Sequence, residues 1–262
     1  MTAKGDALIL AKIRAERRID ADLKEQIEAI FQLLDPFELD VTYAPFEAAF
    51  LSIIDRSSEQ FFNLESAFLQ AYCQVEFGIE AAEAKASYEL LGWEARNRIS
   101  RSLSTVTQGA IKGHTARGDS ILKAYADSKT RAVSSGRRHA REPARELTMR
   151  TTSRTRGLKG YKRVQTGTET CSFCAMLAGR GAVYDAETVR FRSHDNCDCI
   201  GVPATGGPKP TMDQEFLASA RPAAKSSEVD KEKVGAAIAE WERKRDAGEI
   251  TPTPLPPRPT YV

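Results

Sequence analysis

Cys171-x-x-Cys174 and, after nineteen residues, His194-x-x-Cys197-x-Cys199 place four of the chain's five cysteines and one of its three histidines within 29 of 262 residues. Thiolates and imidazole at this spacing suit a tetrahedral metal ion. A Cys-x-x-Cys pair turns back in a tight knuckle and offers two sulfurs, while a second short element closes the tetrahedron from the far side of the loop. Zinc takes both donor types, performs no redox chemistry, and in structural sites fills its four positions with protein groups. Five candidates therefore compete for four places. Cys171, Cys174 and His194 are the first three. The fourth is Cys197 or Cys199, with a small preference for Cys199, since one intervening residue makes joint ligation awkward. Iron and other thiophilic ions accept similar ligands. The alternatives are two disulfides, or buried thiols that meet no metal. The sequence opens without a charged leader and apolar h-region, and Ala7-Leu8-Ile9-Leu10-Ala11 is too short for one. A reducing cytosol is expected, where a metal is favoured over a disulfide.

A catalytic zinc keeps one position open, and five available ligands argue for closure. A cytidine-type deaminase needs His-x-Glu and Pro-Cys-x-x-Cys. His114, His139 and His194 are followed by Thr-Ala, Ala-Arg and Asp-Asn, and Thr170 stands where the proline belongs. His-Glu-x-x-His, the phosphate loop Gly-x-x-x-x-Gly-Lys and the Gly-x-Ser-x-Gly elbow are all missing from the sequence. The chain is expected not to be an enzyme. Asp195 beside His194 reads as a residue behind the metal ligand or in solvent. His114 and His139 lie among arginines without a carboxylate close in sequence and are expected at the surface.

A second constellation is electrostatic. Residues 129–163 hold twelve Lys/Arg against two Glu, a local +10 that leaves −8 for the rest of a chain whose formal net charge is +2. Arg137, Arg138, Arg141, Arg145, Arg150, Arg154 and Arg156 are candidates to neutralise phosphates in salt-sensitive, sequence-independent DNA binding. Tyr161 is the segment's one aromatic, so base stacking on single strands is not expected. The competing reading is a solvated helix face paired with acidic neighbours.

The elements that must position these residues divide the chain into three. Residues 1–150 read as a helical domain. Leu23, Ile27, Ile30, Phe31 and Leu34 form a helical stripe that stops at Asp35-Pro36. A second helix is expected after Pro45, with Phe46, Phe50, Ile53, Phe61, Leu64, Phe68, Ala71 and Val75 on one apolar face until Gly78. Cys73 lies beside that stripe as a small hydrophobe. A third helical stretch is expected from Ile79 to Ile111, with Ala86, Leu90, Trp93, Ile99, Leu103 and Val106 inward. A fourth starts at Asp119-Ser120, which can cap it. Residues 151–203 combine the basic strand segment and the Cys/His knuckle, with strands expected near Leu158–Thr166, Ala182–Tyr184 and Ile200–Val202. Residues 204–262 read as linker, an amphipathic helix around Trp241 (228–249) and a proline-rich extended tail. The fold class is mainly α with a small β-rich zinc knuckle (α+β). No apolar run approaches the roughly 20 residues of a membrane span.

The string Cys171-Ser-Phe-Cys174-Ala-Met-Leu-Ala-Gly179-Arg-Gly181-Ala-Val-Tyr184, then Phe191-Arg-Ser-His194-Asp-Asn-Cys197-Asp-Cys199 and Pro203, resembles the MuF-like minor head proteins of tailed phages, in the form carried by phages of actinobacteria. The likeness is specific over about residues 158–203, and over 1–150 it is one of helical character only. It implies a virion structural protein at the portal vertex inside the head, made in the bacterial host cytoplasm, acting in head assembly and in DNA packaging or delivery. Its implied partners are the portal protein, the capsid interior and, through the basic segment, packaged DNA. The resemblance carries over Cys171, Cys174, His194, Cys197 and Cys199 as the family cluster, with zinc as a structural ion, and nothing outside it. The rivals are a DNA-binding zinc module and a metal-dependent enzyme acting on nucleic acid.

Overall fold

The computed structural model describes residues 2–164, 166, 178, 199–205 and 243. Six helices precede a two-stranded antiparallel sheet, in agreement with a mainly α chain carrying a small β element. The expected strand at Ala182–Tyr184, the helix around Trp241 and the proline-rich tail lie outside the described residues.

The first helix, α1 (Ala3–Ile30), starts twenty residues before the apolar stripe that announces it. Its buried positions Gly5, Ile9, Lys12, Glu16, Asp20, Leu23 and Ile27 keep helical spacing throughout. Three of them are charged, so hydrophobic periodicity alone does not show them. Thr2 caps the start by accepting from the Gly5 amide at 3.1 Å, satisfying one of the first-turn donors. A 3-10 turn, Phe31–Leu33, ends the helix before Asp35-Pro36, and Asp35 Oδ1 accepts the Phe37 amide at 2.8 Å.

The second helix, α2 (Leu39–Phe77), runs antiparallel in sequence sense through a short connection and is 39 residues long, about 58 Å at helical rise. Pro45 lies inside it, and the expectation of a start after Pro45 is corrected. Proline removes one bond, to the Val41 carbonyl, but Val41 is exposed and water can replace the partner. Thr42 Oγ1 also donates to the Glu38 carbonyl at 2.8 Å, holding the preceding turn. The helix ends where expected. Gly78 adopts φ 66°, and its amide reaches the Cys73 and Gln74 carbonyls, the left-handed closure that glycine makes at least cost.

The expected third helix is two shorter pieces. After a 3-10 turn at Ala82–Lys85, residues 86–92 are not helical, and α3 (Trp93–Ser104) begins at Gly92. Asp55 of α2 explains the break. Its carboxylate accepts from Tyr88 Oη at 2.9 Å, the Leu91 amide at 3.2 Å and Arg96 Nη2 at 3.1 Å, fixing this strip against α2. Ala86, Leu90 and Trp93, expected inward, are exposed, whereas Ile99 and Leu103 are buried as expected. One π-helical turn, Thr105–Gly109, links α3 to α4 (Ala110–Ala116). Then α5 (Ile121–Ala140) and α6 (Glu142–Arg154) follow. Ser120 is the N-cap residue of α5 but makes no side-chain cap bond, and Asp119 pairs with His114 instead of capping the helix.

The described residues form two compact units, the first of residues 2–78 and 84–147, the second of 79–83, 148–164 and 199–205. In the first, Leu23, Ile27, Phe31, Phe46, Phe50, Ile54 and Leu103 centre one apolar core. Edge-on aromatic contacts tie Phe31 to Phe46 at 5.0 Å and to Tyr125 at 5.3 Å. Cys73 is fully buried, and burial pushes its thiol up to about 11, as expected of a small hydrophobe rather than a reactive group. In the second unit, β1 (Gly160–Val164) pairs antiparallel with β2 (Ile200–Ala204), with Tyr161 opposite Pro203 and Val164 opposite Ile200.

Candidate functional site

The pairing of Val164 with Ile200 makes the ends of residues 165–199 adjacent. That segment holds all five candidate metal ligands. Cys171, Cys174, His194 and Cys197 lie outside the described residues. Cys199 is described: it is 3% exposed and immediately precedes β2. The chain therefore leaves the sheet at Val164, passes the four other ligands, and returns to the sheet through a buried sulfur. A thiol beside a closed ladder, away from water, fits the donor set of a structural ion better than an exchangeable surface site. Among the described residues no group of three or more His, Cys, Asp or Glu could hold a metal.

The structure separates the seven arginines of the basic segment. Arg141 is 6% exposed. It forms an ion pair with Asp20, lies 3.7 Å from Glu16, and places its guanidinium 5.3 Å from the centre of the Phe61 ring. Arg145 is also buried. Arg137, Arg138 and Arg150 are half-buried, and Arg138 donates to Ser102 Oγ at 3.0 Å. Arg154 and Arg156 are exposed, with Arg154 Nη1 3.2 Å from Glu83 Oε2. Formal charge along the sequence is thus a poor guide to charge presented to a partner.

Neither described histidine is the free surface group that its sequence neighbours imply. His139 is 3% exposed, with Nδ1 3.6 Å from Glu142. Burial opposes the charge on Glu142, but the neighbouring His139 ring and Arg98, which donates to Glu142 Oε2 at 3.0 Å, outweigh it and hold the carboxyl below its ordinary value. His114 pairs through Nδ1 with Asp119 at 2.7 Å, and that hydrogen bond holds Asp119 low. Both partners were within five residues in sequence, at spacings a helix or its cap can bring together.

What sequence reasoning missed is a buried ionic layer. Lys12 of α1 pairs with Glu65 of α2, lies 3.7 Å from Glu16, and sits 4.5 Å from the centre of the Phe68 ring. Asp20, one turn on, meets Arg141. The i, i+4, i+8 spacing of Lys12, Glu16 and Asp20 was the available signal, since it continues the apolar stripe in register.

These features define a mainly helical protein whose Cys/His segment is closed by a two-stranded sheet. The chain belongs to the family described as VG15 protein, which matches residues 1–220. The match points to a phage-encoded protein. No curated protein and no solved structure matches the chain. No helix among the described residues is long and apolar enough to cross a membrane.

Proposed function

We propose that this chain is a MuF-like minor head protein of a tailed phage, held at the portal vertex inside the head and acting in head assembly and DNA packaging or delivery. The observation that carries the reading is the β1–β2 closure, in a phage-family chain, of a segment bearing five thiol and imidazole ligands. Cys171, Cys174 and His194, with Cys199 or Cys197, would hold the zinc, which when bound supplies a crosslink rather than an open coordination position. The protein's own residues do the rest: the buried ionic layer and apolar core keep the long helices rigid, and the sheet brings the ends of the ligand segment together. The role is structural and not enzymatic. Portal protein and capsid interior are its partners. Packaged DNA is contacted by the exposed members of the basic segment, Arg154 and Arg156, with Arg137, Arg138 and Arg150 partly accessible.

Quantitative mass spectrometry of purified phage particles, against their major capsid protein, tests this. A small fixed ratio of this chain to the capsid protein is the expected result. Its presence only in infected-cell lysate would overturn the virion assignment.

A further inference from the structure

An open cleft of about 450 Å³ lies in the first unit, away from the Cys/His segment and from Arg154 and Arg156 in sequence. Ser104, Gly109 and Gly113 give it small lining residues; His114, Arg117 and Arg131 give it positive and polar ones. Part of its wall is the π-helical turn Thr105–Gly109. Such turns are rare, appear mostly as single turns within α-helices, and are frequent at functional sites. Gly109 closes this one. A Cβ there would stand 3.2 Å from the Ser104 carbonyl oxygen, so a side chain would press on the turn.

The charges are unevenly satisfied. His114 is held through Nδ1 by Asp119 at 2.7 Å, which fixes the ring and leaves Nε2 as its remaining polar atom. Asp119 is held low by that hydrogen bond first, and also by the nearby charges of His114, Lys123 and Arg117. Arg117 and Arg131 are exposed and form no ion pair among the described residues. Two guanidiniums and an oriented imidazole around a small-residue cleft suit one ligand chemistry, since the planar guanidinium fork matches phosphate oxygens in geometry as well as charge.

We propose that this cleft binds a phosphate group, held by Arg117 and Arg131 beside the His114 ring, which lines the cleft and reports on its occupancy. The volume exceeds what phosphate alone requires and admits an attached sugar. The phosphate is either a backbone phosphodiester of DNA or a small phosphate ester. Only the DNA assignment rests on the head-protein reading, while the cleft's affinity for phosphate stands without it.

The test is an NMR titration of the full-length chain, following the His114 ring resonance, assigned through His114→Gln, with inorganic phosphate and then with a short DNA duplex at fixed ionic strength. Inorganic phosphate is expected to shift the resonance saturably, and Arg117→Ala/Arg131→Ala to weaken this roughly tenfold or more, as loss of charge-assisted bonds does. His139, buried, serves as the reference resonance. A duplex that reproduces the shift and competes with phosphate assigns the cleft to DNA backbone; a duplex that leaves His114 unmoved assigns it to a small phosphate ester. Should the alanine pair unfold, Arg117→Lys/Arg131→Lys keeps the charge and loses the fork, and still weakens binding. No saturable shift, or the same saturation in wild type and variants, would overturn the proposal. None of these outcomes depends on whether the chain is found in phage particles.

Discussion

Arg141 and Asp20, separated by 121 residues, form an ion pair in which both side chains are largely withdrawn from water. The pair joins α1 to the end of α5 beside the Phe61 ring. Removing one partner strips the other buried charge of its nearest counter-charge, although Arg141 keeps Glu16 at 3.7 Å; breaking a buried pair in this way typically costs about 3–5 kcal/mol, whereas removing both costs far less. Arg141→Met and Asp20→Asn are each expected to lower unfolding stability by about 3 kcal/mol, with the double variant losing well under the sum of the two single losses. Denaturant unfolding of the four proteins measures the coupling. Simple additivity would mean that the pair is not what holds Arg141 inside.

Gly136 makes a contrasting prediction about close approach. A Cβ at this α5 position would lie 2.5 Å from Ile27 Cδ1 and 3.3 Å from both Ile54 Cδ1 and Phe50 Cζ. Gly→Ala inside a helix ordinarily gains about 1 kcal/mol, but overpacking a filled core costs about 1–3 kcal/mol. Gly136→Ala is expected to destabilise by up to about 2 kcal/mol despite its better propensity. Gly113→Ala, whose Cβ would meet only Arg117 Nη1 at 3.6 Å, is expected to stabilise slightly. Thermal unfolding of the two variants should move Tm in opposite directions.

The contrast between Leu23 and Lys12 shows what the sequence made legible. Both occupy the same buried stripe of α1, yet only the apolar end announces itself, because a charged residue belongs inside only when a distant partner neutralises it. Glu65 and Asp20's partner Arg141 are set by tertiary packing, which no local pattern contains. The same holds for residues 86–92, whose helical spacing was overridden by three hydrogen bonds to Asp55. Gly78 was readable because its requirement is local: a left-handed backbone closes α2. At the candidate site, the strand spacing around Tyr161 and Ile200 was readable for the same local reason, whereas the burial of Arg141 and Arg145 was not.

Glu142 provides a pH-dependent signature. Its carboxyl is depressed from the ordinary 4.5 chiefly because His139 and Arg98 favour the ionised form against the opposing effect of burial. A depressed acid contributes stability that is fully present above the unfolded value and lost as the pH falls through the folded one. Wild type is therefore expected to lose stability below about pH 4.5 more steeply than Glu142→Gln, the two curves converging in acid. Parallel curves from pH 6 downward would show that Glu142 gains nothing from these partners.

The Cys/His segment yields a stoichiometry. Full-length protein purified without chelator is expected to carry about one zinc per chain, as a closed four-ligand site requires. Cys171→Ser and Cys174→Ser should each abolish retention, and the comparison of Cys197→Ser with Cys199→Ser identifies the fourth ligand. The burial of Cys199 next to β2 favours the larger loss there. Elemental analysis of the variants reads the result directly, and retention untouched by both Cys171→Ser and Cys174→Ser would remove the structural-zinc reading.

Arg154 and Arg156 differ from Arg141 in what they can offer a polyanion. Both are exposed, and Arg154 is held by Glu83 at 3.2 Å, with the two side chains 62% and 32% exposed. Exposed pairs of this kind contribute about 0–1 kcal/mol, so a phosphate can displace Glu83 at little cost. Each arginine that neutralises a phosphate adds about 0.9 to the slope of log affinity against log salt. Arg154→Ala/Arg156→Ala should therefore flatten the salt dependence of duplex binding by about 1.8. Glu83→Gln should tighten binding roughly two- to threefold by releasing Arg154. Arg141→Met, provided it folds, should leave the slope unchanged, since its charge is already matched inside by Asp20. Fluorescence anisotropy across a salt series separates these cases. A slope indifferent to Arg154 and Arg156 would mean that the basic segment is a solvated surface and that DNA, if bound, is held elsewhere.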